Sequence, residues 1–338
     1  MDIEGLLKSH DSWVFFRKPG ENGINLWLGG EGKPEGERFV FTDFSGKRLH
    51  SIFPTEKFLV ENAADLQQVD LGDLPLRPFA DKVYEKEEYL EICKGFLQAI
   101  EKTAVQKAIL SRIALFATVE APIRHYAMLT EVYKDAFVYL LKFGNELWLG
   151  ATPELLVEWE KGVLKTMALA ATRKAGFEGE WTAKERDEHQ WVLDYIVEKL
   201  DRYDVHVGET ETVQIRQLEH LRTPIAAHNV PADDLAGIVE ALHPTPAICG
   251  IPMREAYDLI MQLEKHNRGL YTGYLGVVTD DQTAFYVNLR CASLHSNYTA
   301  AYVGGGITQG SEPLKEWEET ILKSKSLLLE RDANKDVE

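Results

Sequence analysis

The sequence contains little cysteine, and its cysteines form no pattern. Only three are present in 338 residues, and Cys93, Cys249 and Cys291 lie far apart among apolar neighbours. An odd, widely spaced set argues against both a disulfide framework and a cysteine-rich zinc site. We therefore expect a protein of the reducing cytoplasm.

Positive charge is also scarce. The chain has 37 Lys and Arg residues against 54 Asp and Glu residues, which gives a formal net charge of -17. This balance argues against nucleic acid or an anionic membrane surface as a partner. If the ligand is itself an anion, its site must obtain positive potential locally, from a metal ion or from a few placed basic side chains.

Long hydrophobic runs are absent. No stretch reaches the roughly 18 consecutive apolar residues typical of a membrane span, and the segment Met1–Gly5 has neither a basic nor an apolar leader region. We expect no signal peptide and no membrane helix. With 45% hydrophobic and 27% charged residues, the composition indicates a globular protein with a sizeable core.

Strands and helices are predicted to alternate along the chain. Short apolar runs between turns predict a small antiparallel sheet over residues 1–80. This alternation indicates an α+β fold with antiparallel sheets covered by helices, and we expect one domain over residues 1–338. The predicted strands cover 105–116, 137–143, 146–149, 155–160, 162–169, 269–279, 283–294 and 298–303, and the predicted helices cover 85–102, 183–203, 253–265 and 311–330 with Ser311 as an N-cap.

Lys107 interrupts an apolar run over residues 105–113. Period-two alternation places it on the same strand face as Val105 and Ile109. Burial there would disfavour the ammonium form and make Lys107 a candidate general base. The alternative is an edge strand whose lysine reaches water and blocks aggregation. The strand alone does not decide between them.

Two helix starts each carry a pair of glutamates three residues apart, Glu185 with Glu188 and Glu316 with Glu319. That spacing places both carboxylates of a pair on one helix face. If the tertiary structure brought the two pairs together, they would form an oxygen-rich site suited to Mg²⁺. Taken singly, each pair is better explained as a solvated acidic face near a helix N-terminus.

Three further features could bind or protonate an anion. Arg290 lies in an apolar strand and suits a bidentate carboxylate contact, unless it forms a structural ion pair. Glu154 lies between two apolar strands, where burial would make it an acid and exposure would make it an ordinary turn residue. Gly304–Gly306 is expected to form a turn whose N–H groups approach an anion, or simply to end a strand.

Eight segments, taken together and in chain order, resemble one protein family, although no single segment would identify it. They run from about residue 104 to the end, whereas residues 1–100 contain no motif that is diagnostic of a family. We therefore expect a variable N-terminal part at 1–100 and a motif-bearing catalytic part at 104–330. The segments are Lys107–Arg112, Gly150–Leu156, Leu169–Arg173, Lys184–His189, Leu242–Ala247, Arg268–Gly273, Asn288–Ala292 and Gly304–Thr320. This series resembles the chorismate-utilising enzymes, which include isochorismate, salicylate, anthranilate and aminodeoxychorismate synthases.

The resemblance implies two packed antiparallel sheets with helices outside, around a Mg²⁺-dependent site for chorismate. By motif position, Glu188 and Glu319 would be metal ligands with Glu185 and Glu316 close by, and the substrate's ring carboxylate would lie on the metal. The expected substrate-binding residues are Tyr271, Arg290, Gly304, Gly305, Gly306, Lys323, Thr172 and His243.

Two positions bear on the reaction. Ammonia-using members of the family typically have glutamine at the place of Lys107, and aminodeoxychorismate synthases typically have lysine at the place of Ala170. The resemblance therefore implies an isochorismate synthase with no obligatory glutamine amidotransferase partner. Lys107 would take a proton from water attacking C2, and Glu154 would protonate the departing C4 hydroxyl. The product could serve menaquinone or siderophore biosynthesis.

Three alternatives stay open at this stage. A salicylate synthase would use the same water chemistry and then eliminate pyruvate. An ammonia-using synthase is a second alternative, against which the lysine at position 107 argues. A non-catalytic chorismate-binding protein would have no need of an acid–base pair. One departure from the family is Ala171, which stands where glycine is usual. If that position requires a positive φ or a close approach of the ring, the methyl group would narrow the pocket or slow turnover.

Overall fold

The computed structural model describes residues 2–32, 36–72, 74–215 and 218–325. Within them the strands are β1 (Ser12–Arg17), β2 (Ile24–Gly30), β3 (Arg38–Thr42), β4 (Leu49–Val60), β5 (Lys107–Phe116), β6 (Phe137–Phe143), β7 (Glu146–Thr152), β8 (Leu155–Glu160), β9 (Val163–Lys174), β10 (Asp204–Val207), β11 (Glu211–Ile215), β12 (Leu218–His228), β13 (Gly250–Ile251), β14 (Tyr274–Val278), β15 (Gln282–Val287), β16 (Cys291–Leu294) and β17 (Thr299–Thr308). The α-helices are α1 (Ile3–Lys8), α2 (Lys86–Lys102), α3 (Pro122–Val132), α4 (Ala183–Lys199), α5 (Leu235–Leu242), α6 (Met253–Leu263) and α7 (Pro313–Ser324), with 3₁₀ turns at Ala63–Leu66 and Ala232–Asp234.

The strands form two antiparallel sheets. The order in the first is β4–β2–β1–β6–β7–β16–β17–β5–β13. The second runs β4–β3–β14–β15–β8–β9–β12, and both β10 and β11 pair with β12. Strand β4 belongs to both sheets, because its first half pairs with β3 and its second half with β2. The predicted α+β fold with packed antiparallel sheets is confirmed.

An aromatic core fills the space between the sheets. Phe16 and Phe137 come from the first sheet, Phe39 and Tyr286 from the second, and all four are buried. The rings of Phe137 and Tyr286 stack with centroids 4.5 Å apart, an arrangement that adds to the stability gained from burial. The helices cover the outer faces, with α3 on the first sheet and α4 and α5 on the second. None of the helices in the described ranges has the length and apolar character needed to cross a membrane.

Two sequence predictions about the fold were wrong. Residues 1–80 do not form a small sheet of their own, because β1, β2 and β4 extend the first sheet while β3 pairs with β14 in the second. The segment between β5 and β6 also contains a helix, α3, that was not predicted. It buries Ile123 and Tyr126, three residues apart, against the first sheet, a spacing typical of a helix face.

A third wrong prediction concerns residues 283–294. They form not one strand but two, since β15 lies in the second sheet and β16 in the first. The chain crosses between the sheets at Asn288–Arg290, where buried Asn288 accepts a hydrogen bond from Tyr139 Oη and donates one to the Leu270 carbonyl, both at 2.8 Å. Because both strands are buried, their apolar residues form one continuous run in the sequence, and nothing in that run marks where one strand ends and the next begins.

The start of the last helix also differs from the prediction. Its N-cap is Glu312, not Ser311, and the helix begins at Pro313. Ser311 instead accepts a hydrogen bond from the Thr308 amide at 3.1 Å, which closes the turn after β17. The predicted helical residues 326–330 lie outside the described part of the chain.

Candidate active site

A cavity of about 420 Å³ lies where β5 and β17 face the N-terminal turns of α4 and one side of α7. Its volume is in the range of small-molecule sites. The structure brings together nearly all the residues predicted from sequence. Lining it are Lys107, Glu154, Thr172, Glu185, Glu188, Tyr271, Arg290, Gly304, Gly305, Gly306, Glu316, Glu319 and Lys323, whereas His243 lies elsewhere.

Lys107 is the first residue of β5 and is only 4% exposed. It pairs with Ile251 of β13 on one side and Thr308 of β17 on the other. The alternative of an edge-strand lysine reaching bulk water is therefore wrong. Its Nζ lies 3.4 Å from Glu188 Oε2, so the candidate base contacts a candidate metal ligand.

Glu154 lies in the short link between β7 and β8 and is 4% exposed. Burial raises the pKa of this carboxyl to about 8, although the positive charge of Lys107 acts in the opposite direction. The alternative of a solvated turn carboxylate is therefore wrong. A carboxyl group that stays protonated at neutral pH can donate a proton to a leaving group.

The second glutamate of each helix pair faces lysines. Glu188 lies between Lys107 and Lys184, whose Nζ is 3.8 Å from Glu188 Oε1. Lys323 Nζ lies 2.6 Å from Glu319 Oε1. Burial acts to raise the pKa of Glu319, but the charge and hydrogen bond of Lys323, with smaller contributions from Lys184 and Lys107, outweigh it and lower the pKa. Glu319 is therefore ionised at neutral pH.

The first glutamate of each pair has a different environment. Glu185 completes a capping box, since its Oε2 accepts hydrogen bonds from the Thr182 amide at 2.7 Å and the Thr182 hydroxyl at 2.9 Å. This arrangement fixes the start of α4. Glu316 is 8% exposed, and burial raises its pKa, with the negative charge of Glu319 acting in the same direction.

The donor set fits a hard divalent cation. Glu188 and Glu319 bring carboxylate oxygens into one cavity from two helices, and Glu185 and Glu316 lie on the same wall. Among the residues with described positions, no three His, Cys, Asp or Glu side chains are grouped tightly enough to hold a metal by themselves. Mg²⁺ needs only one or two carboxylates, because it retains water and takes substrate oxygens.

The expectation of a glycine turn at Gly304–Gly306 was wrong. These residues continue β17 and pair with Ser111, Leu110 and Ile109 of β5. They make room for neighbouring side chains: a Cβ on Gly306 would lie 2.7 Å from Lys107 Cε. Any larger residue would therefore require the end of the Lys107 side chain to shift.

Arg290 reaches the cavity from the crossover between the sheets, where its φ is 48°. Its Nη2 donates a hydrogen bond to His220 Nε2 at 3.1 Å. His220 Nδ1 lies 3.0 Å from the Ala171 carbonyl and 3.2 Å from Thr172 Oγ1. Burial, with the charge of Arg290, lowers the pKa of His220 to about 3. The ring is therefore neutral, with Nδ1 as the donor to Ala171.

Sequence reasoning missed His220, which lies on β12 in a segment that was assigned to no element. A histidine in an alternating apolar and polar stretch was the available signal, but the sequence does not show that β12 pairs with β9 beside the cavity.

Two predicted substrate-binding residues complete the cavity wall. Tyr271 is buried, with its ring 5.8 Å from that of Tyr302. Lys323 donates to the Gly304 carbonyl at 3.0 Å.

The expectation that His243 binds substrate finds no geometric support. Its side chain is buried, with Nε2 3.1 Å from the Phe44 carbonyl and the ring edge-on to Tyr274 at 5.1 Å. Burial lowers its pKa to about 4. The residues of this loop that do reach the cavity are Ala247 and Ile248. His243 therefore anchors the loop to the N-terminal part and does not face the cavity.

Ala171 has the positive φ that the family's usual glycine would favour. Its φ is 61°, a conformation that costs an L-residue about 1–2 kcal/mol. The residue lines the cavity, and its methyl group packs with Trp181 and Leu221. The position therefore has the positive φ under which we expect the Ala171 methyl group to narrow the pocket or slow turnover.

The fold and the cavity define a small-molecule-binding protein with the side chains of acid–base chemistry. A family model described as "Chorismate binding enzyme" matches residues 55–330. The chain belongs to this family, and the resemblance seen in the eight motifs is confirmed.

Individual relatives agree with that assignment. The isochorismate synthase MenF of Bacillus subtilis is 26% identical over 267 residues, which cover 72% of this chain and 55% of that protein. The salicylate biosynthesis isochorismate synthase of Pseudomonas aeruginosa is 34% identical over 205 residues, covering 56% and 43%. The alignments thus span about half the length of these curated relatives. The structure of MenF, the menaquinone-specific isochorismate synthase from Escherichia coli, matches with a TM-score of 0.81 at 20% identity, over 97% of this chain and 92% of that one.

Proposed function

We propose that this protein is a Mg²⁺-dependent isochorismate synthase, which adds water to C2 of chorismate and releases the C4 hydroxyl. The observation that carries the proposal is the pair formed by Lys107 and Glu154. Both side chains are 4% exposed and line one cavity. A basic and an acidic side chain buried in one cavity are what an acid–base isomerisation needs.

In the proposed reaction the ammonium group of Lys107 first loses a proton to solvent, and the resulting amine accepts a proton from the water that attacks C2. Glu154, kept protonated by a pKa of about 8, gives its proton to the C4 oxygen as that bond breaks. The ring double bonds shift, one water is consumed and one is released. The reaction is therefore a reversible isomerisation, and isochorismate differs from chorismate only in the placement of the hydroxyl and the double bonds.

The remaining side chains bind and orient the substrate in this proposal. Arg290, held by neutral His220, binds a substrate carboxylate through charge-assisted hydrogen bonds. Tyr271, Thr172 and the Gly304–Gly306 strand form the surrounding wall. Glu188 and Glu319 would hold Mg²⁺, which when bound supplies positive charge for the ring carboxylate. In an acidic protein this local charge attracts an anion that the rest of the surface repels.

Residue identities weigh against the competing functions. An ammonia-using synthase needs no base for its nucleophile, and a protein that only binds chorismate needs no acid–base pair. A salicylate synthase shares the first step, so it is distinguished by its products. We propose that the protein acts without a glutamine amidotransferase, in the cytoplasm, where its three buried cysteines stay reduced.

The test is to incubate the purified protein with chorismate and Mg²⁺ and to separate the products by chromatography. Isochorismate in a reversible mixture with chorismate is expected, without ammonium and without a partner protein. The same assay on Lys107→Gln should give almost no isochorismate. Stoichiometric pyruvate and salicylate would instead identify a salicylate synthase, and activity only with ammonium would refute the role given to Lys107.

A further inference from the structure

Arg173 attaches the loop before helix α4 to the second sheet. This residue ends the Leu169–Arg173 motif on β9, and the proposed reaction gives it no part. Its side chain is 16% exposed, and its Nε donates a hydrogen bond to Glu219 Oε2 at 2.8 Å. Its Nη1 donates to the Gly179 carbonyl, also at 2.8 Å. One guanidinium thus ties strand β12 to the loop before α4.

The same guanidinium lies on an aromatic ring. Its central carbon is 4.1 Å from the centroid of Trp181, the residue immediately before the Thr182 N-cap. Trp181 is 8% exposed, donates from Nε1 to Thr212 Oγ1 at 2.9 Å, and accepts a hydrogen bond from Arg186 through its carbonyl. A planar guanidinium can stack and donate in its own plane at once, which a lysine cannot do.

The Ala171 methyl group completes the contact from the cavity side. It packs with Trp181 and Leu221, although its φ of 61° would be less costly for glycine. The methyl therefore fills space against the tryptophan that a glycine would leave open. We call Arg173, Trp181, Glu219 and Ala171 the Arg173 cluster.

We propose that the Arg173 cluster positions the first two turns of α4, and with them the carboxylates of Glu185 and Glu188, for a divalent cation. Arg173 and Trp181 are thus positioning residues and touch neither substrate nor metal. The inference rests on the proposed function only in assigning a cation to Glu188. Residues that orient metal ligands typically contribute about 10- to 100-fold to metal affinity.

The test compares Arg173→Gln with a matched control, Arg222→Gln. Arg222 also pairs with a glutamate on this sheet, Glu211 at 2.6 Å, and this pair joins β12 to β11 and not to the loop before α4. Amide hydrogen exchange over residues 176–190 should rise in Arg173→Gln and stay at the wild-type rate in Arg222→Gln. Mn²⁺ affinity, measured from the paramagnetic resonance of free Mn²⁺, should fall by about 10-fold or more in Arg173→Gln alone.

A second variant changes another residue of the cluster, so that the result does not depend on whether Arg173→Gln folds. Trp181→Leu keeps an apolar side chain but removes the stacking surface and the Thr212 hydrogen bond. As in Arg173→Gln, amide hydrogen exchange over residues 176–190 should rise and Mn²⁺ affinity should fall. Unchanged exchange in both variants, or raised exchange with unchanged Mn²⁺ affinity, would overturn the inference, as would a wild type that binds no Mn²⁺. Isochorismate formation by the wild type decides the proposed function separately.

Discussion

The cavity has two walls that use the same residue type in opposite ways. On the helical wall, formed by α4 and α7, Glu188 and Glu319 face Lys107, Lys184 and Lys323, and the pKa of Glu319 is lowered. On the sheet wall, burial raises the pKa of Glu154 to about 8. Glu319, paired with Lys323, stays ionised and suits a cation, whereas the buried carboxyl of Glu154 keeps its proton and suits an acid.

The largest expected effect lies on the helical wall. Glu188→Gln or Glu319→Gln should lower kcat/KM by about 10³-fold or more, because a bound cation supplies several kcal/mol of charge stabilisation. Steady-state kinetics over a range of Mg²⁺ concentrations measure this. Glu318→Gln, an exposed site on the same helix, is the control and should behave like the wild type. Full activity of either ligand variant, or of the wild type in excess chelator, would contradict the metal assignment.

On the sheet wall, Lys107→Ala and Glu154→Gln should each lower kcat by about 10²- to 10⁴-fold with little change in KM, since proton transfer acts in the transition state. Arg290→Ala should chiefly raise KM, because it removes a ground-state contact to a carboxylate. Full kinetic curves on the three variants separate the effects. A Lys107→Ala protein with near-normal kcat would remove the water-activation mechanism.

The protonated state of Glu154 also predicts a pH dependence of stability. Because its folded pKa of about 8 lies above its ordinary value of 4.5, the folded protein retains a proton that the unfolded chain releases. This contribution is fully present below pH of about 4.5 and is lost as the pH rises through 8, up to about 5 kcal/mol. Urea unfolding between pH 5 and 9 should show a steeper decline for the wild type than for Glu154→Gln. Parallel curves would mean that Glu154 is ionised when folded.

The smallest effect is expected where the two walls meet, at Ala171. Replacement by glycine relieves about 1–2 kcal/mol of backbone strain, but it loses roughly 0.8 kcal/mol of methyl burial and about 0.5–1 kcal/mol through the freer unfolded chain. Ala171→Gly should therefore change the free energy of unfolding by less than about 1 kcal/mol. Ala170→Gly, next to it in β9 without a positive φ, has no strain to relieve and should be clearly destabilising. Equal losses in the two variants would show that Ala171 is unstrained.

Local patterns in the sequence predicted much of the fold and of the site. Period-two alternation located β5 with Lys107, and helical spacing located α2 and the glutamate pairs of α4 and α7. These features depend on neighbours within a few residues, so the chain carries them locally. The order of motifs then identified the family, which the match over residues 55–330 confirms.

Other features depended on which strands became neighbours. The crossover at Asn288–Arg290 was hidden because both flanking strands are buried, and His220 was overlooked because nothing local places β12 beside β9. The glycines of β17 looked like a turn, but they lie within the strand, and Gly306 leaves room for Lys107 on the neighbouring strand. Strand pairing joins residues far apart in sequence, and no local pattern encodes it.

By itself, the sequence determined the residue types of the site and the elements that carry them. Only the tertiary structure decided their states: that Lys107 is buried beside Glu188, that Glu154 keeps its proton while Glu319 does not, and that His243 faces away from the cavity. The reason is that charge and protonation depend on burial and on partners from distant segments, which are fixed only when the sheets and helices pack together.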